Sequence, residues 1–273
     1  QWYKLSSGIK SNVYAIWGAA PDDVWAVGSK YMHWDGSSWT EFDVGYMASD
    51  VFGFSPNDVW IAASGGGLFH WDGGTLEPAD APPNSGLQAM WGTEPDDFWM
   101  AGNDGKVFHS DGVARSRAII SGQDLVDIWG VAPDDVWATG REGAMLHWNG
   151  EDWTLFEIAM EAGCFITNIF VIWGSASDDF LAVGEQFCGN WMMFAGVMLH
   201  WDGESWFTGG ISRSNEVWGT SVEDLWYAGE YGELIHHGRM NTGTYMNLRG
   251  IWGFENDVCV GGSAPDGILQ YTR

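Results

Sequence analysis

Three acids, Asp50, Asp127 and Glu216, each stand two residues ahead of an aromatic, in "SDVFG", "VDIWG" and "NEVWG". Elsewhere the same place holds Ala15, Ala89, Val171 or Gly250, and one step earlier come Tyr14, Gln88, Asn215 and Arg249. Three carboxylates gathered at one point would hold a cation such as calcium, or act as acid and base on a glycoside. A second series is histidine: His33, His70, His109, His147, His200 and His236 each follow an apolar residue at regular distances. Imidazoles invite a metal reading, and hydrogen bonding within or between structural units is the reading that needs less. Cysteine supplies the third set, Cys164, Cys188 and Cys259. The chain has no nucleophile elbow, phosphate loop, HExxH or CxxC zinc pair.

Regular spacing of reactive residues implies repeated elements beneath them. A Trp-Gly or Phe-Gly pair recurs with its glycine at 18, 53, 92, 130, 174, 219 and 253, at spacings of 35, 39, 38, 44, 45 and 34. After each comes an aspartate and an apolar run, as in "PDDVWAVG", "PNDVWIAA", "PDDFWMAG" and "PDDVWATG". A third run carries the histidine ("MHWDG", "FHWDG", "LHWNG"), and a fourth starts at the next tryptophan ("SSWTEF", "EDWTLF", "ESWFTG"). Each run is short and bounded by Gly, Pro, Asp or Asn, so each predicts a strand, and none has helical periodicity. Four antiparallel strands in a unit of about 40 residues, repeated seven times, predict an all-β seven-bladed β-propeller over 1–273.

The last copy, "IWGFENDVCVGGSAPDGILQYTR", has three strands, here A to C, and lacks the fourth, D. The first residues, "QWYKLS", resemble "SWTEFD" and "DWTLFE". Residues 1–6 are therefore expected to supply strand D of blade seven, closing the ring and leaving no open edge. The repeat "IWG-x-x-P-D-D-V-W-A-V-G … H-W-D-G-x-x-W" resembles the tryptophan-rich propeller repeats of secreted and surface proteins from myxobacteria and related bacteria. The resemblance covers essentially the whole chain and implies the architecture. In general character the Trp-rich blades are also similar, more distantly, to propeller lectins such as the tectonin-type and fungal lectins.

Residues present in every copy are expected to build the blade. The aspartates 23, 58, 97, 135, 179, 224 and 257 open strand B and are read as acceptors for backbone N–H groups of the A–B turn. The histidines sit on strand C, third from the axis, too widely spread for one coordination sphere. The tryptophans of strands A and B are read as wedges between blades, each burying about 150–250 Å².

Variation singles out blade five. From the glycine of Trp-Gly to the strand C histidine most copies count 17 residues (53 to 70, 92 to 109, 130 to 147, 219 to 236), whereas blade five counts 26 (174 to 200). Insertions fall in 157–171 and 185–197 and are read as two neighbouring loops, "EIAMEAGCFITNIF" and "EQFCGNWMMFAG". Each holds one cysteine, so a Cys164–Cys188 disulfide is expected, with Cys259 a buried free thiol. Phe187, Trp191, Met192, Met193 and Phe194 form an apolar cluster on the second insertion, suited to a protein partner or to covering the channel mouth.

Composition narrows the classes. The chain has 37 Asp+Glu against 11 Lys+Arg, a formal charge of −26. Phosphate backbones and anionic membranes repel such a chain, so nucleic acid is not an expected partner and no membrane insertion is expected. The sequence starts at Gln1, which is read as a processed or trimmed chain. With the expected disulfide this points to a secreted, periplasmic or outer-surface location. The functional reading is a binding module without resident cofactor, taking a glycan or another surface molecule near the channel mouth. Its expected ligand-binding residues are Trp191, Asp127, Glu216, Arg249, Asp50, Asn215 and Tyr14. The alternatives are a glycoside hydrolase or lyase using the acids at the mouth, and a protein-interaction scaffold.

Overall fold

Runs such as "DVWATG" pair as strands because β-branched and aromatic side chains pack well on a pleated surface, and Gly, Pro and Asp end them. The structure, a computed structural model, describes residues 2–4, 11–110, 115–119, 122–189, 193–254, 257–263 and 268–272. It contains seven four-stranded antiparallel sheets, the blades of a seven-bladed β-propeller. Blade four shows the plan: A at Leu125–Ala132, B at Asp135–Gly140, C at Met145–Trp148 and D at Trp153–Leu155. Two compact units divide the chain, Gln1–Leu87 with Asp224–Arg273, and Gln88–Glu223.

Closure follows the sequence reading. Trp2–Lys4 is the outer strand of blade seven and pairs antiparallel with Ile268–Thr272, in the register Trp2↔Tyr271, Tyr3↔Gln270 and Lys4↔Leu269. Residues 1, 5 and 6 of the expected strand lie outside the described residues.

The Trp-Gly pair has a steric reason within each unit. A Cβ added at Gly53 would lie 2.6 Å from the Trp17 ring of the preceding blade, one at Gly130 2.8 Å from Trp91, and one at Gly174 2.8 Å from Trp129. At Gly18 the intruding ring is Phe254 of blade seven, at 3.1 Å. At these four glycines the strand A aromatic thus lies over the glycine of the next blade. Strand B tryptophans continue the contact outward. Trp25, fully buried, meets Trp71 of blade two at 5.4 Å, and Trp99 meets Trp148 of blade four at the same distance. At about 25 cal/mol/Å², each such ring contributes about 4–6 kcal/mol of gross stabilisation, an upper bound set by the extended reference chain.

The strand B aspartate has a different duty from the turn role read from the sequence. Its carboxylate faces the strand C histidine: Asp23–His33 at 3.0 Å, Asp58–His70, Asp135–His147 and Asp179–His200 at 2.8 Å, Asp97–His109 and Asp224–His236 at 2.6 Å. Antiparallel register explains this. It sets the strand B tryptophan directly opposite the histidine, as in Trp137↔His147, and the aspartate two residues earlier lies on the same face. The imidazole then stacks on the indole, with ring centroids 4.5 Å apart for Trp25–His33 and 3.9 Å for Trp226–His236. Blade five keeps the acid–imidazole pair but sets Leu181 opposite His200, and blade seven sets Cys259 opposite Gln270.

Capping of turn amides occurs at the C–D turn instead. Asp35, Asp72, Asn149 and Asp202 each accept the N–H groups two and three residues on, and the glycine after each has φ between 85° and 91°. The Ser37 hydroxyl and neighbouring amides lower the Asp35 carboxyl to about 2.

Cys259 is the buried free thiol expected, and burial pushes its ionisation up from 9.0 to about 12. Burial also raises the Tyr31 phenol. Both groups stay neutral in the fold while the unfolded chain ionises at the ordinary values. Their contribution is complete below those values and is lost as pH rises through the raised ones.

Two outcomes follow. Gly53→Ala, where the three nearest atoms all belong to the Trp17 ring, should cost about 1–3 kcal/mol in urea unfolding, as overpacking against an immobile indole does; a wild-type midpoint would refute the wedge. Unfolding free energy should fall between pH 9 and 12, with a shallower slope in Cys259→Ala.

Candidate functional site

Part of the extra sequence of blade five is strand and not loop, while residues 157–163 remain a connection between strands. Strand A runs Cys164–Ala176, strand B Asp179–Cys188 and strand C Met193–Trp201, against 8, 6 and 4 residues for the same strands of blade four. "CFITNIFVI" has no glycine or proline and is rich in β-branched and aromatic residues, so it extends the ladder rather than leaving it. The result is a three-stranded arm. Cys164 is paired with Cys188 across it and Cys188 with Met193; one step inward, Phe165 faces Phe187 and Phe187 faces Phe194.

The Cys164–Cys188 disulfide is present, with Cα atoms 4.0 Å apart, and bridges the arm near its tip. Beside it the phenylalanines form a row, with centroids 5.6 Å apart for Phe165–Phe187 and 5.0 Å for Phe187–Phe194. Phe165, Met193 and Phe194 are half or more exposed, at 56%, 58% and 50%. The arm's base is tied by Arg213 to Glu185 at 2.7 Å and by the Thr167 hydroxyl to the Glu185 carbonyl at 2.9 Å. Trp191 and Met192, expected members of the apolar cluster, lie outside the described residues.

Two clefts flank the stapled stem. The larger, about 540 Å³, runs between the B–C turn of blade four (Glu142, Gly143, Ala144), the segment Leu155–Ile158 and the arm residues Cys164–Ile166. Gln123 donates to Glu142 at its rim, at 3.2 Å. The smaller, about 200 Å³, is lined by Gln186, Cys188, Val197 and Thr208–Gly210. Met160 and Cys164 line both, so the stem forms the wall between them.

Blade six carries a separate cleft of about 360 Å³ between Tyr231 and Tyr245, with Arg239, Asn241 and Thr242 along it. These tyrosines are 72% and 89% exposed. Tyr231 has φ 56°, an uncommon conformation for a bulky side chain. The same turn position in blades three and four holds Asp104 and Glu142, also at positive φ and also before a glycine.

The strand A residues expected at the channel mouth have local partners. Asp127 accepts from its neighbour Ile128 N at 2.9 Å and, with its other oxygen, from Ile172 N of blade five at 2.7 Å. Asp50 accepts from Val51 N at 2.8 Å and Glu216 from Val217 N at 3.2 Å. Asn215 lies half-buried on the strand that carries Glu216. Tyr14 and Arg249 are brought together, the guanidinium 5.7 Å from the ring centroid, and Asn12 donates to the Tyr14 hydroxyl at 3.2 Å. A β-bulge precedes Asp127 and Asp50 on their strands, which re-aims these side chains. Among the described residues, one group of three potential metal ligands lies within 4.8 Å: Asp224, His236 and His237.

No protein-family model matches the chain, and no curated protein matches it. Solved structures do. One titled YCF48 bound to D1 peptide is 15% identical, with TM-score 0.73, over 100% of this chain and 94% of that one. The extracellular domain of a putative one component system from B. thetaiotaomicron is 10% identical, with TM-score 0.72, over 99% of this chain and 40% of that one. The WD40 β-propeller domain of Doa1 is 10% identical, with TM-score 0.69, over 97% and 94%. At these identities the likeness is one of fold. No helix among the described residues is long and apolar enough to cross a membrane.

Unfolded without reductant, the protein should show one reactive thiol of its three, and all three after reduction. Replacing both Cys164 and Cys188 by serine should cost about 2–4 kcal/mol, the usual range for releasing such a loop. Three thiols before reduction would remove the staple.

Proposed function

We propose that the chain is an extracellular binding module whose contact surface is the stapled arm of blade five. The observation that carries this reading is the exposure of Phe165, Met193 and Phe194 on an arm that the other blades do without. Keeping such groups in water is unfavourable unless a partner covers them. The adjoining cleft adds exposed Leu155 and the carboxylates of Glu142 and Glu157. Apolar rings beside acids, on a chain of charge −26, suit an extended peptide segment with apolar and basic side chains. A peptide-bound propeller, and an extracellular domain of the same fold, support the class and the location; so does the disulfide.

Glycan recognition is the second reading, and Tyr231 and Tyr245 favour it. Two exposed aromatic faces beside Arg239 and Asn241 offer stacking surfaces and hydrogen-bonding groups for a sugar. Tyr14 with Arg249 belongs to this reading too, as do Trp191, Asp50 and Asn215 from the sequence. Catalysis has less support: both oxygens of Asp127 already accept backbone N–H groups, and Glu216 accepts one. A carboxylate so engaged is poorly placed to give or take a proton.

Peptides selected from a random display library against the immobilised protein should be enriched in aromatic and basic residues. The double variant Phe165→Ser/Phe194→Ser should lose at least tenfold in their affinity with its melting temperature kept. Peptides indifferent to that variant, together with glycan-array binding that disappears in Tyr245→Ala, would move the site to blade six.

A further inference from the structure

In five blades one histidine meets one aspartate with no second histidine beside it. The residue after that histidine is Trp34, Trp71, Ser110, Trp148 or Trp201. In blade six it is a second histidine, His237. Its backbone turns into the left-handed region, φ 49°, and Gly238 follows at φ 133°. That turn brings the His237 Nε2 to 3.5 Å from the Asp224 Oδ1 that His236 already contacts at 2.6 Å. The two imidazole rings lie 4.2 Å apart. Two imidazole nitrogens and one carboxylate oxygen therefore converge, with the His237 side chain 67% exposed and open to an arriving ion.

The geometry points to a binding site for one divalent first-row transition ion at Asp224, His236 and His237, with zinc as the probe of choice. The donor set is the nitrogen and oxygen mixture such ions take, and water completes the shell. Ligands about 2.0–2.2 Å from a tetrahedral ion stand about 3.3 Å from one another. The Asp224–His237 separation meets that already, while the Asp224–His236 pair opens by under an ångström as the ion replaces the proton between them. That proton passes to solvent, so binding and proton release are coupled. The strands joined by this turn, Glu233–Ile235 and Arg239–Asn241, have three residues each, so an ion here would pin a short hairpin to the start of strand B at Asp224.

The chain carries its own controls. Its seven histidines are the six of the strand C series and His237, and among the described residues the other five Asp–His pairs have no third ligand within reach. Protein stripped with chelator and titrated calorimetrically with Zn²⁺ should take up one ion per chain and melt at a higher temperature. His237→Ala, at an exposed position outside the Asp–His bond, should keep the apo melting temperature and weaken Zn²⁺ binding at least tenfold. In the wild-type protein, substoichiometric Cu²⁺ should broaden the imidazole proton signals of two histidines out of seven, a readout that needs no variant. No uptake, uptake unchanged in His237→Ala, or a stoichiometry of five or six with all imidazoles broadened, would overturn the site.

Discussion

An aromatic ring lying where a neighbour has no side chain is the contact on which the rest of this molecule depends. Trp17 over Gly53, Trp91 over Gly130, Trp129 over Gly174 and Phe254 over Gly18 are four instances of it. In each of these four a blade gives a ring to the next, which meets it with bare backbone. Face-to-face packing of sheets leaves about 10 Å between them, and an indole fills that layer only if the facing residue is flat. The glycine is thus selected for what it lacks, the ring for its area, and neither would hold blades together alone.

A polar device keeps the outer strands in step. An imidazole stacked on an indole and held by a carboxylate ties strand C to strand B at one register and no other, because a slip of one residue would move the histidine to the opposite face. Blades five and seven show what happens when the set is incomplete. Leu181 replaces the indole where the ladder is longest, and Cys259 with Gln270 replaces the pair where the outer strand comes from the other end of the sequence. Both blades have another means of fixing register, the disulfide in one and the Trp2–Lys4 strand in the other.

The architecture was legible because seven imperfect copies give the same boundaries over and over, and the closing strand because one copy lacks what the first residues resemble. The disulfide was legible because two cysteines stand in two insertions of a single blade. Other features needed the register. That Asp135 meets His147 depends on Trp137 lying opposite that histidine, a fact of pairing and not of spacing. The repeat pattern reads both insertions as loops because departure from a repeat suggests irregularity, although "CFITNIFVI" carries strand propensity throughout. Spacing and residue type do not single out Tyr231, because its oddity is conformational. Only alignment with Asp104 and Glu142 before their glycines marks its position as one where a large side chain is costly.

The pairing that completes blade seven also decides how the protein answers force. Trp2 lies opposite Tyr271, so the N-terminal end of the segment Trp2–Lys4 and the C-terminal end of the segment Ile268–Thr272 stand at the same end of one antiparallel ladder. Tension between those segments would load the hydrogen bonds one after another, as a zip, and not all together in shear. Among the described residues the partnership is three residues long. Held by both flanks, the chain would peel at this strand first, exposing the outer edge of the strand Ile268–Thr272. Held by one flank only, it would bear load without stressing the closure at all.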